Sequence, residues 1–285
     1  FNMKKLIFSF IALLSLAMAG IAQDLISVAD LSAKLKDPSF VVISAEVETE
    51  YAKVHITDAV NVPYTSLEKK VGAVEGLLIS PEEIAKAMNA KGVSEKKTIV
   101  VYDEGTGKYA GRVYWILKYM GAPNVKILDG GLIAWKAARK PVTKNPTIVK
   151  PETFSTSVNN SIFASMKDVQ AAVGNSKIAL VDFHEAALFN GKDPKGKGRI
   201  PGSVNVDHTT LLDAKSVYKS KTDLQKMFND VGATSDKTIY VICSSGTRAS
   251  KGYFALKSIL GYPNVKLYDG GLNEWAATPS NKMEK

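Results

Sequence analysis

The chain has one cysteine, Cys243, in 285 residues. No internal disulfide can form, which excludes a disulfide-stapled scaffold and leaves the thiol either idle or reactive. Long apolar runs are also scarce. Beyond the first two dozen residues no segment approaches the roughly 20 that span a bilayer. The basic residues are scattered and lack the interleaved aromatics of a single-strand nucleic-acid groove, so no nucleic-acid partner is expected. What is present is ordinary globular material, 45% apolar and 23% charged, long enough for two domains.

The amino-terminal segment differs. Lys4 and Lys5 precede an apolar run from Leu6 to Leu14, followed by small residues as Ala17-Met18-Ala19 or Gly20-Ile21-Ala22. A basic start, an apolar stretch and an A-x-A-like site describe a secretory signal over residues 1–23. The alternative is a membrane anchor, for which the run is short. Cleavage predicts an exported protein, periplasmic or extracellular, with no stable membrane association. Its formal charge of +9 would fall to +7 with the two lysines gone, a surplus that suits solubility or the attraction of small anions.

The remainder is written twice. Lys97 to Trp135 aligns without a gap on Lys237 to Trp275 at an offset of 140, sharing Lys-Thr-Ile, Gly-x-Pro-Asn-Val-Lys and Asp-Gly-Gly-Leu-x-x-Trp. Upstream, His55-Ile-Thr-Asp-Ala-Val-Asn-Val62 matches Arg199-Ile-Pro-Gly-Ser-Val-Asn-Val206. Two such pairs in the same order identify a tandem duplication. Short β-branched runs at Val41–Ile43, Thr98–Tyr102, Ala179–Asp182 and Thr238–Ile242 predict buried strands. Helical stretches follow at 110–119 and 249–260, with Gly121 and Gly261 where a helix end wants glycine. Alternating strands and helices predict an α/β fold, two parallel sheets each covered on both faces. The expected domains are residues 24–140 and 157–280, joined by a proline-bearing linker at 141–156.

Chemistry concentrates in Ile239-Tyr-Val-Ile-Cys-Ser-Ser-Gly-Thr-Arg-Ala-Ser250. The cysteine ends a strand just before a helix, the edge where open α/β sheets bind ligands. Loop amides and the helix start behind them favour negative charge there, so a lowered thiol pKa and a half-exposed sulfur are expected. Ser244, Ser245 and Thr247 offer hydroxyl donors, Gly246 permits unusual backbone angles, and Arg248 adds a fixed cation.

Cys243-x-x-Gly246-x-Arg248-Ala249-Ser250, then Gly261-Tyr-Pro-Asn-Val and Asp269-Gly-Gly-Leu-x-x-Trp275, resembles the rhodanese sulfurtransferases; Arg199-Ile-Pro-Gly-Ser203 resembles that family's upstream segment. The resemblance covers nearly all of the chain after the signal, once per half. It implies tandem rhodanese-like domains, each a five-stranded parallel sheet, and a Cys243 that carries sulfur as a persulfide. A small anionic sulfur donor would be held by Ser244, Ser245, Gly246, Thr247, Arg248, Arg199 and His184, and the sulfur passed to cyanide or a thiol. No cofactor or metal is implied. Asp103 stands where the first half would need its cysteine, so that half is expected to be silent.

Two departures bear on this. His184, in Asp182-Phe-His184, stands where the family often has arginine. Ser44 replaces Asp182 in the first half. His55 and His208 are expected to be structural, and Lys251 solvated. A phosphatase or arsenate reductase would need Cys-x5-Arg, one residue longer than the loop here; a non-catalytic binding module is the other rival. Between donors, the fixed cation at Arg248 favours thiosulfate over 3-mercaptopyruvate.

Overall fold

The computed structural model describes residues 24–284; the signal read into residues 1–23 lies outside them. In the first half, β1 (Leu25–Ile26), β2 (Phe40–Ser44), β3 (Val60–Asn61), β4 (Thr98–Tyr102) and β5 (Val125–Leu128) form one sheet. Its order is β1-β5-β4-β2-β3, every pair parallel. In the second half, β6 (Phe163–Ala164), β7 (Ile178–Asp182), β8 (Val204–Asn205), β9 (Thr238–Ile242) and β10 (Val265–Tyr268) repeat it as β6-β10-β9-β7-β8, again all parallel. Two five-stranded parallel sheets with helices are the tandem α/β fold expected from the repeat.

Alternation along each strand divides the apolar side chains between two cores. Ile43, Val101 and Ile127 point to one face of the first sheet, and Val42, Val100 and Leu128 to the other. In the second sheet Val181, Ile239 and Val241 face one way, and Leu180, Tyr240 and Ile242 the other. The inward faces of both sheets join a single hydrophobic cluster, while the outer faces have separate ones. The halves therefore share a continuous core and are not beads on a string.

That shared core is built on two helices, α1 (Lys108–Tyr119) and α3 (Thr247–Phe254), each following the central strand of its sheet. They cross where Gly111 meets Lys251; a Cβ on Gly111 would lie 3.0 Å from the Lys251 backbone nitrogen. Each half ends in a short helix, α2 (Gly131–Ala137) and α4 (Gly271–Ala277), whose tryptophans are buried anchors. The segment after α2 turns back on its own half. Val142–Thr143 pairs antiparallel with His55–Ile56, and Phe154 is buried in the core.

One helix departs from expectation. The second-half stretch is α-helical only to Phe254 and continues as a π-helical turn, Ala255–Ile259. The repeat explains it. Helix α3 begins one aligned position earlier than α1, after a left-handed N-cap at Gly246 rather than at the equivalent of Gly107. Yet Gly121 and Gly261 remain in register at the far end. The wide turn absorbs the extra residue, so the cysteine loop is one residue tighter than its counterpart.

Candidate active site

Cys243 follows directly on β9, and its loop runs into α3. The Asp269-Gly-Gly turn braces the loop from below: Leu272 N–H donates to Cys243 O at 2.7 Å and Asn273 N–H to Ser244 O at 3.0 Å. Gly271 has φ +53°, and a Cβ there would stand 2.3 Å from Cys243 O. The repeated double glycine is thus required by close backbone approach.

The sulfur is not half-exposed. Cys243 is 1% exposed, and burial pushes its thiol pKa up, opposed by backbone N–H donors at Ala249 and Ser245 and by the charge of Arg248. The expected lowering is overturned because desolvation outweighs the amides in the sulfur's resting position.

The first half shows what those amides hold when the occupant is an anion. Asp103 is also buried, and its carboxylate accepts N–H bonds from Gly105 (2.9 Å), Gly107 (3.0 Å), Tyr109 (3.1 Å) and Ala110 (3.3 Å), and one from the Thr106 hydroxyl (2.9 Å). Gly105 and Tyr109 are the repeat equivalents of Ser245 and Ala249. The neighbouring Glu104 turns away and pairs with Lys136 at 2.7 Å.

A cleft of about 220 Å³ opens beside the loop, lined by His184, Leu188, Lys195, Lys197, Ser244, Arg248, Leu272 and Asn273, among others. His184 lies between two partners. Its Nδ1 is 2.7 Å from Asp182 Oδ1 and its Nε2 2.7 Å from Ser244 Oγ. Arg248 is steered by Glu185, Nε to Oε2 at 3.2 Å. His208 Nε2 holds the same carboxylate at 3.2 Å, and burial lowers the histidine's pKa. His55, stacked on Tyr51 with ring centroids 3.7 Å apart, and His208 are both framework residues.

The structure brings His184, Ser244 and Arg248 together at the cleft, with Ser245 and Gly246 in the loop behind. Thr247 opens α3 as its first residue. Arg199 is elsewhere: it pairs with Glu284 at 3.3 Å and lies over the Phe189 ring at 4.9 Å, off the cleft wall. Lys251, expected in solvent, is 2% exposed, and burial lowers its pKa to about 8. It is enclosed because α3 packs on the first half, where its stem reaches Gly107.

Sequence reasoning missed Lys195 and Lys197. The signal was an insertion of six residues, since Asp182 to Arg199 spans 17 positions where Ser44 to His55 spans 11, in the stretch that carries Lys192-Asp-Pro-Lys-Gly-Lys-Gly198. Among the described residues no group of three or more His, Cys, Asp or Glu side chains is placed to hold a metal ion. No described helix is long and apolar enough to cross a membrane.

Comparison with known proteins agrees with this geometry. The family described as Rhodanese-like domain matches residues 27–138 and 165–278. The 3-mercaptopyruvate sulfurtransferase of Escherichia coli K12 is 32% identical over 269 residues, covering 89% of this chain and 95% of that protein. The thiosulfate sulfurtransferase of Azotobacter vinelandii is 29% identical, covering 90% and 95%. Among solved structures, SseA from Escherichia coli, titled as a 3-mercaptopyruvate sulfotransferase, superimposes with a TM-score of 0.80 at 31% identity, covering 87% of this chain and 98% of that one. EanB shares the fold at a TM-score of 0.83 and 22% identity, covering 93% and 70%.

Proposed function

The chain belongs to the rhodanese-like family of sulfurtransferases, and we propose that it moves a sulfane sulfur from thiosulfate to cyanide or a thiol through a persulfide on Cys243. One observation carries this reading: the amide cradle around Asp103. An aspartate places its carboxylate oxygens one atom beyond Cγ, as a persulfide places its outer sulfur one atom beyond Sγ. The equivalent loop around Cys243 suits that longer, anionic form better than the buried free thiol.

In the first step the Cys243 sulfur attacks the outer sulfur of thiosulfate. A new S–S bond forms, the bond to the sulfonate sulfur breaks, and the electron pair departs with sulfite. The proton of the buried thiol leaves with it as bisulfite, and the persulfide anion remains among the loop amides, which stabilise it as an oxyanion hole would. In the second step cyanide attacks the outer sulfur. Thiocyanate departs with the outer sulfur, and the Cys243 thiolate left behind takes a proton from solvent, which restores the thiol. Arg248, Lys195 and Lys197 supply the positive charge that draws a compact dianion to the cleft.

A second reading has its own support. Leu188 and Leu272 give the same cleft apolar walls, which suit the carbon skeleton of 3-mercaptopyruvate. There the leaving group is an enolate that needs a proton, and the Asp182–His184–Ser244 chain stands at the cleft to relay one.

Thiosulfate and 3-mercaptopyruvate, each with cyanide, test the two on the purified chain beside Cys243→Ser. The expected result is turnover with thiosulfate at the higher kcat/KM, one added sulfur on intact protein, and neither in the variant. Activity surviving in Cys243→Ser would overturn the assignment; absence of the added sulfur with both donors would favour a binding module. Export belongs to the same reading, and the N-terminal sequence of the secreted chain checks it.

A further inference from the structure

The half that lacks the cysteine reaches the cysteine loop. Its hairpin, Glu68–Val71 with Val74–Leu78, crosses to the second half: Leu78 N–H donates to Asp269 Oδ2 at 3.0 Å, and Asn273 Nδ2 donates to Glu75 O at 3.3 Å. Gly76, at φ +84°, sits on the loop itself, where a Cβ would be 2.3 Å from Ser245 Cβ. Arg112 of α1, 0% exposed, ties the parts together. Its Nε donates to Glu68 (3.0 Å), and its Nη2 donates to Gly76 O (3.1 Å) and Asp269 Oδ1 (2.7 Å). Its Nη1 has no hydrogen-bond partner and faces Gly246, where a Cβ would lie 2.6 Å away.

The pseudo-equivalent contact is present on the other side, but without the arginine. Tyr218 N–H donates to Asp129 Oδ1 at 3.1 Å, as Leu78 does to Asp269. Ser216 covers Gly105 as Gly76 covers Ser245. The counterpart of Arg112 is Gly252, where a Cβ would be 2.0 Å from the Phe183 ring, so no side chain fits. Had Arg112 served only to join the halves, either interface would do. It is found solely against the loop that carries the cysteine.

We infer that Arg112 and the Glu68–Leu78 hairpin are positioning elements of the active site, holding Ser245, Gly246 and the Asp269 turn in the shape that presents loop amides to the sulfur. The catalytically silent half thereby acts through the loop of its neighbour. This rests on the reading that Cys243 carries the transferred sulfur.

The test compares Arg112→Lys, which keeps the charge but cannot bridge three walls, with Gly76→Ala and with Asp129→Asn on the mirrored interface. Rates are expressed per folded molecule, counted from the amplitude of the urea unfolding transition, so a smaller folded fraction does not register. Arg112→Lys and Gly76→Ala are each expected to lower kcat with thiosulfate and cyanide by about tenfold or more, the cost of slight misplacement, with donor KM within about threefold. The alkylation midpoint of Cys243 should move to higher pH as the amides at Ser245 and Ala249 lose aim. The other charged groups facing this region, Arg248, Asp182, His184, Glu68 and Asp269, are unchanged in both variants. Asp129→Asn should move neither readout.

Wild-type kcat per folded molecule and an unshifted alkylation profile in both variants would overturn the inference, as would an equal loss in Asp129→Asn. Should Arg112→Lys fail to fold, Gly76→Ala decides by the same criteria. If the wild type takes sulfur from neither donor, the proposed function fails separately, while the alkylation profile still reads the loop geometry.

Discussion

The loops at Asp103 and Cys243 occupy the same place on two equivalent sheets, yet their surroundings differ. Around Asp103 the charge is built in: its carboxylate takes the loop amides, and Glu46 adds another by accepting the Glu104 N–H at 2.8 Å. Burial and the nearby Asp103 and Glu104 raise the Glu46 pKa. At the equivalent of Glu46 the second half has His184, whose Nε2 meets Ser244 in place of Glu104. Cations Arg248, Lys195 and Lys197 surround that site. The lesson is that replacement of the cysteine by Asp103 preserved the cradle and filled it with a carboxylate. Loss of the cysteine alone would have left buried N–H groups without partners.

The comparison can be broken most severely by moving the sulfur. Asp103→Cys combined with Cys243→Ser should leave turnover at least about a thousandfold below wild type, since nucleophile and cradle alone lack the cations and histidine. Thiocyanate formation by that double variant within about tenfold of wild type would mean the surroundings matter little.

A second probe uses the buried cation between the halves. Lys251 has its pKa lowered from 10.5 to about 8, chiefly by burial. At neutral pH it is charged whether folded or not, and the folded state bears the cost. Lys251→Met should therefore stabilise the protein by about 3 kcal/mol below pH 8, from the size of that shift. Above pH 8 the wild-type amine sheds its proton in the folded state first, so the advantage should shrink and vanish above pH 10.5. Thermal or urea unfolding across this range checks the sign.

Third, Asp103→Asn removes the charge from five hydrogen bonds and sets an amide against N–H donors. About 2 kcal/mol of stability should be lost, with kcat/KM per folded molecule unchanged. A fall in activity would show that the silent loop communicates with the working one. The smallest effect belongs to the donor site. Arg248→Ala should raise KM for thiosulfate by about tenfold, in line with one charge-assisted contact, and change kcat less; steady-state kinetics on matched protein will tell.

Much of this was legible in the chain. The repeat, the central strands, the glycines at the helix ends and the cysteine loop all follow from residues close together in sequence, where period and turn chemistry act locally. Where the first half has Asp58 and the second Gly202, the backbone is left-handed in both, φ +66° beside +73°. What could not be read depends on how the halves meet. Burial of Cys243 and Lys251, the diversion of Arg199 to Glu284, and the reach of Arg112 into the opposite loop are set by contacts between distant segments. The Lys195–Lys197 wall lies in an insertion with no counterpart to align.

The crossed hairpins have a historical consequence. Each half lends a segment to its neighbour in the same manner, Leu78 to Asp269 and Tyr218 to Asp129. This is the self-complementary arrangement of an isologous homodimer, here fused into one polypeptide. An ancestral single-unit protein assembled in this way would have had two equal sites. Joining the copies released them from identity, so that one could specialise as the mould and the other as the worker. Neither, cut free, would be expected to retain its outline.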